Sequence, residues 1–210
     1  MKNLRLLDHA LLSARMTRLR EWDLGTEDFA REAGLVGRIL AVEASRHLSS
    51  RARRVRTPLE ETEGSSLARL VCLVPVLRAG LALLEPFREL LPEASVGHIG
   101  IARDEHTLEA RIYVERLPGN LADCEVFLLD PMLATGHSSA AALSVLKKAG
   151  ARPEHLKLVC CVAAPEGVEV LNQEHPGVEI LSAALDRKLN ERGFILPGLG
   201  DFGDRLFGTI

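Results

Sequence analysis

Apolar residues in the first part of the chain recur every three or four positions. Phe29, Ala33, Val36, Leu40 and Ala44 share one helical face, and Thr26, Glu27 and Asp28 open that helix with a capping side chain and acids in its first turn. A preceding helix is predicted over residues 6–20. Residues 51–66, RARRVRTPLEETEGSS, lose the period and mix charge with Pro58 and Gly64, which predicts an exposed arm or hairpin.

From Leu70 onward, short unbroken apolar runs alternate with helical stretches. LVCLV predicts a buried strand ended by Pro75, and GLALLEPFREL a helix. VGHIGI is a further strand. Ala110, Ile112 and Val114 alternate with Arg111, Tyr113 and Glu115 as in a half-exposed strand. CEVFLLD is buried strand again, and SSAAALSVLKKAG is a helix with Lys147 and Lys148 in its last turn and Gly150 just past its end. LKLVCCVAA, a helix begun by Pro165, and VEILSAA complete a βαβαβ run. Buried strands joined by helices predict an α/β fold, with a mostly parallel sheet flanked by helices and right-handed crossovers. After Asp186 the chain is dense in glycine and proline, which predicts an irregular ordered lid.

A chain of 210 residues with 47% hydrophobic content can bury one good-sized core, so a single domain is expected. Its expected parts are N-terminal helices and arm over 1–68, an α/β core over 69–184 and a lid over 185–210. The net charge of -3 supplies no positive field for nucleic acid. The basic run of Arg51, Arg53, Arg54 and Arg56 lacks interleaved aromatics, and reads as a solvated arm or one packed on a second subunit. No apolar run approaches the ~18 residues of a membrane span, and Asp8, His9 and Arg15 interrupt any signal core. A soluble cytoplasmic protein is expected, with no membrane partner. Cys72, Cys124, Cys160 and Cys161 lie in apolar runs without a C-x-x-C pair, as buried thiols do. The histidines show no metal-ligand spacing.

The strongest candidate for chemistry is FLLDPMLATGHSS. An apolar strand ends at Asp130, a loop with Thr135 and Gly136 follows, and a helix is predicted to begin at Ser138. Such a loop aims backbone N–H groups and a positive helix end at one point, which suits a phosphate monoester, while Asp130 can accept from ribose hydroxyls. An ordinary strand-to-helix turn with a capping serine remains open beside that reading. No Walker loop is present. Gly198, Gly200 and Gly203 spell a dinucleotide fingerprint, but only seven residues follow Gly203, too few for the helix and strand it needs.

LLDPMLATGHS resembles the phosphoribosyl-pyrophosphate loop of uracil phosphoribosyltransferases, whose usual form is V-D-P-M-L-A-T-G-G-S. Two further stretches agree in order: VPVLRAG with RDEHTLEAR, and AAPEG followed by LNERGFILPGLGDFGDRLFGT. The resemblance runs from about Thr26 to the C-terminus. It implies a type I phosphoribosyltransferase-like fold, with N-terminal helices, a β-arm and a C-terminal hood. It also implies transfer of the phosphoribosyl group of 5-phosphoribosyl-1-pyrophosphate (PRPP) to uracil, giving uridine monophosphate and pyrophosphate.

Carried over by position, the loop of Asp130, Pro131, Met132, Leu133, Ala134, Thr135, Gly136, His137 and Ser138 would hold the ribose and its 5-phosphate. Arg78 and Arg103 would meet the pyrophosphate, whose charge suits guanidinium forks. Ile195, Gly200, Asp201 and Phe202 would face uracil, largely through backbone, and Asp201 would also touch PRPP. No side chain is assigned as general acid or base, and no metal ligand from the protein. Mg²⁺ would be held mainly by the pyrophosphate and ribose hydroxyls. The resemblance further implies a homodimer or higher homo-oligomer, and GTP as an effector. His137 stands where the loop motif has a small residue, Phe202 where it has Ala, Phe194 where it has Tyr, and Ala102 where it has Tyr. Those departures keep a second reading open: a non-catalytic or regulatory homologue that binds PRPP or a nucleotide, or a transferase with altered base preference.

Overall fold

The computed structural model describes residues 2–103 and 110–209. In chain order its elements are β1 (Leu4–Leu6), α1 (Ala10–Leu19), α2 (Thr26–Ser45), β2 (Ser50–Arg56), β3 (Glu61–Leu67), β4 (Leu70–Leu77), α3 (Leu81–Leu90), β5 (Ser95–Val96), β6 (His98–Arg103) and β7 (Ala110–Arg116). There follow β8 (Cys124–Leu129), β9 (Met132–Leu133), α4 (His137–Lys148), β10 (Leu156–Ala163), α5 (Pro165–Glu174), β11 (Glu179–Leu185), β12 (Lys188–Leu189), β13 (Ile195–Leu196) and α6 (Phe202–Phe207).

The main sheet runs β1-β11-β10-β8-β4-β6-β7, parallel throughout except for β7, which pairs antiparallel with β6. Successive side chains of a strand point to opposite faces, so a strand buried on both sides must be apolar at every position. Val71, Leu73, Phe127, Leu129, Val159, Cys161 and Leu181 face a core built with α1, α2 and α3. Their alternates Cys72, Val74, Val126, Leu128, Leu158, Cys160 and Ile180 face the one built with α4 and α5. The four cysteines are buried thiols, and burial pushes Cys160 up to about 12 and Cys161 higher still.

Several local expectations need correction. The first helix begins at Ala10, because residues 4–6 are taken as an edge strand beside β11. Thr26 is the first helical residue of α2 rather than its cap; Gly25 precedes it, with no side-chain cap. Pro75 does not end its strand. On one side it pairs with Leu129, and on the other the register passes from Leu73 to Val76, a gap where a missing N–H is tolerated. In β7, Ile112 and Tyr113 are both exposed, as befits a sheet edge. The segment after Asp186 also contains regular pieces, the two-stranded ladder of β12 with β13 and the short helix α6.

The predicted arm is the hairpin β2–β3, and every residue of β2 is exposed. Arg54 lies opposite Glu63 and Arg56 opposite Glu61, so half of the basic run is matched by acids. Among the described residues no helix is long and apolar enough to cross a membrane.

Candidate active site

Asp130 follows the last residue of β8, at the carboxyl edge of the sheet. It is 8% exposed and its N–H donates to Val159 O at 3.1 Å, which ties the loop to β10. Burial pushes its carboxyl up to about 6, against the opposing pull of hydrogen bonds from Ser139 and the Met132 N–H. The loop then hugs β10: Cys161 and Val162 both donate to Pro131 O, at 2.9 and 3.1 Å, and β9 pairs with the end of β10.

The loop turns into α4 at Gly136, whose φ of 84° is left-handed. It is Gly136, not the following His137, that needs this conformation. His137 is instead the first residue of α4, and its side chain is exposed. The helix thus starts one residue before Ser138, and no side chain caps it, neither Ser138 nor any other. Its first-turn N–H groups therefore have no side-chain partner at the cap position. The back of the loop is closed by α5: a methyl on Gly167 would lie 2.4 Å from Ala134 O, and one on Gly136 would lie 2.8 Å from Gly167 O. Backbone meets backbone here, and the AAPEG motif supplies the glycine that allows it.

Arg78 lies just past β4, where the Leu77–Arg78 peptide is cis. Its guanidinium stands 3.8 Å from Asp204 Oδ1 and 5.6 Å from the centre of the Phe207 ring, and is more than half exposed. The strand β6 delivers the backbone of Arg103 to the same end of the sheet. The segment 104–109, within the RDEHTLEAR motif, lies outside the described residues.

The C-terminal segment comes back over this edge. A methyl on Gly193 would stand 3.7 Å from Thr135 Cγ2, and the Leu189 N–H donates to Glu166 Oε1 of α5 at 2.9 Å. Asp201 caps α6 by accepting from the Asp204 N–H at 2.9 Å. Ile195 and Phe202 both turn their side chains into the core. The Phe202 ring is 1% exposed and meets Phe29 edge-on at 5.0 Å. Any ligand contact at these two positions is left to the backbone. Phe194, by contrast, is exposed.

Four holding residues escaped the sequence reading. Arg20 and Asp186 clamp the segment's start, and Gly198 joins them through its own N–H and carbonyl. Arg205 donates to the carbonyls of Leu19, Leu199 and Glu21 and lies 4.4 Å over the Phe29 ring. Ser139 bonds Asp130. Asp186 carried a signal, since like Asp130 it is an acid at the end of an apolar strand. A cavity of about 550 Å³ between α2, α3 and α6, lined by Gly34, Arg38, Pro86 and Phe207 among others, contains none of the loop's residues.

The model of the uracil phosphoribosyltransferase family matches residues 6–209. The chain belongs to the uracil phosphoribosyltransferase family. The match reaches further toward the N-terminus than the motifs do, taking in α1 and its Arg20. The uracil phosphoribosyltransferase of Lactococcus lactis subsp. cremoris is 45% identical over 210 residues, all of both chains. A solved structure from Aquifex aeolicus is 36% identical across 98% of each chain, with a TM-score of 0.92. The adenine phosphoribosyltransferase of Trypanosoma brucei, solved with AMP, pyrophosphate and ribose-5-phosphate, is 13% identical. It covers 96% of this chain and 89% of its own at a TM-score of 0.62, a likeness of fold alone. The fold is that of the type I phosphoribosyltransferases.

Proposed function

We propose that the protein transfers the phosphoribosyl group of PRPP to uracil, releasing pyrophosphate and forming uridine monophosphate. The observation that carries this reading is the join of β8 to α4. There a buried carboxylate, a left-handed glycine and an uncapped helix start converge at the sheet's carboxyl edge, beneath a C-terminal segment that folds over them. The loop of residues 130–138 holds the ribose and 5-phosphate, with Asp130 accepting from sugar hydroxyls and the amides meeting the phosphate. Arg78 and Arg103 receive the pyrophosphate, and the exposed Arg78 guanidinium, 3.8 Å from Asp204 Oδ1, is able to turn toward it. Backbone groups around Ile195, Gly200, Asp201 and Phe202 read the donor and acceptor edge of the base.

The bond at ribose C1 breaks with positive charge building on the sugar, so the protein's work is to align two substrates and stabilise the leaving group. Among the described residues no three His, Cys, Asp or Glu side chains converge as a metal cage. Hard oxygen donors of the pyrophosphate and ribose suit Mg²⁺, and the ion when bound would offset the leaving group's charge. The hairpin β2–β3, exposed along all of β2 and most of β3, is the natural contact for a homodimer. GTP as an effector rests on the family resemblance alone. PRPP carries too much charge to cross a bilayer unaided, which favours a cytoplasmic setting.

A steady-state assay with uracil, cytosine and the purine bases, paired with calorimetric titration of PRPP, tests the proposal. Turnover with uracil is expected, and His137→Gly should change it little, since the left-handed position is Gly136. PRPP binding without product would show a regulator instead.

A further inference from the structure

Ser139 lies one residue beyond the loop, in the first turn of α4, and is 2% exposed. Its Oγ donates to Asp130 Oδ2 at 2.9 Å, and Asp130 is buried too, at 8% exposed. A serine near a helix start ordinarily satisfies the backbone of its own helix. Here that start has no side-chain cap, and the buried hydroxyl gives its proton to an acid nine residues upstream.

We propose that Ser139 is a positioning residue of the phosphoribosyl site: its hydroxyl fixes one oxygen of Asp130 and keeps that carboxylate ionised, so that the other oxygen meets the ribose purely as an acceptor. The inference rests on the transferase reading above. An ionised carboxylate accepts at both oxygens, whereas a protonated one offers an O–H and loses the pairing with sugar hydroxyls. Burial favours the protonated form, and among the described residues the Ser139 hydroxyl and the Met132 N–H oppose it. Among the described residues no charged side chain contributes to holding Asp130 ionised. Its titratable neighbours are Cys160 and Cys161 on β10, and both remain thiols near neutral pH. The serine therefore carries a share of the work that an arginine or lysine would do in a more open site.

The test is the pH dependence of kcat/KM for PRPP, with PRPP binding followed by calorimetry over the same range. The proteins are the wild type, Ser139→Ala and Ser139→Thr. Removing a hydrogen bond to a charged group should move the acid limb of Ser139→Ala upward by about one pH unit, a roughly fivefold loss near pH 6 that approaches tenfold at lower pH and fades toward pH 8.5. Ser139→Thr, which keeps the hydroxyl, should restore the wild-type limb. A loss of the same size at every pH, or no loss, overturns the proposal. Thermal melting shows whether Ser139→Ala folds; if it does not, Ser139→Cys takes its place, and its weaker donor should give a smaller upward shift. An unshifted limb in that variant also overturns the proposal. A wild type that neither binds nor consumes PRPP would sink the transferase reading itself, and an active wild type with an unshifted alanine variant would sink only the role of Ser139.

Discussion

Arg20 grips both carboxylate oxygens of Asp186, at 2.7 and 2.8 Å, across 166 residues of chain. The same guanidinium donates to Gly198 O at 2.7 Å, and Asp186 Oδ2 accepts from the Gly198 N–H at 2.8 Å. Two side chains thus pin both ends of the loop that carries β12 and β13. The Asp186 side chain is 7% exposed and that of Arg20 23%, so removing the acid leaves a mostly enclosed guanidinium without its counter-charge. Asp186→Ala should lower stability by roughly 3 kcal/mol. It should also raise the KM for uracil more than that for PRPP, because the C-terminal segment loses its anchor while the β8–α4 loop does not. Denaturant melts and two-substrate kinetics check this. An unchanged melt would show that the clamp is dispensable.

The Phe202 ring is wedged against Phe29 of α2, inside the core. Phe202→Ala should therefore act as a core deletion, costing about 3–5 kcal/mol, rather than as an enlargement of the base site. Chemical denaturation measures the cost. Activity toward bulkier bases, if gained without a stability loss, would contradict the core assignment.

The sheet and its two layers were legible because unbroken apolar runs, Val126 to Leu129 in β8 and Leu158 to Ala163 in β10, leave a strand no exposed face. The loop was legible because an acid, a glycine and small residues at a strand-to-helix junction have few other uses. Arg20 and Arg205 were not legible, since each acts on partners remote in sequence, nor was Ser139, since a lone arginine or serine has the same appearance on any surface. The orientation of Phe202 was hidden for a related reason: periodicity does not operate in a segment whose backbone reverses at Gly198 and Gly200, both left-handed.

Gly167 sits on α5, outside the loop it serves. A methyl there would stand 2.4 Å from Ala134 O and 3.1 Å from the Leu133 side chain, contacts that only movement of the loop can relieve. Gly167→Ala should raise the KM for PRPP at least about tenfold while leaving the melting temperature within a few degrees, since a shift of an ångström misplaces the amides more than it unpacks the core. Calorimetry with PRPP distinguishes this from a general loss of fold. Wild-type PRPP affinity in the variant would mean that the loop does not grip phosphate.

Asp130 sets stability against function in a way that pH exposes. Its folded carboxyl is held up at about 6, above the ordinary carboxylate range near 4, so the folded state keeps the proton more tightly than the unfolded chain. Ionisation in the native protein is then a net penalty, present in full above about pH 6 and gone below about pH 4. The displacement of some two pH units corresponds to roughly 3 kcal/mol at neutral pH and above. Asp130→Asn removes the charge at nearly constant shape. It should melt at a higher temperature than the wild type near pH 8, with the gain shrinking as pH falls through 6 and vanishing near 4. The same substitution should cost at least about a hundredfold in kcat/KM for PRPP, because an amide presents a donor where the ribose needs an acceptor. Melting curves across that range, set beside the kinetics, check both halves. A variant that is no more stable near pH 8 would show that Asp130 is not desolvated in the folded protein, and one that keeps full activity would remove it from the sugar site.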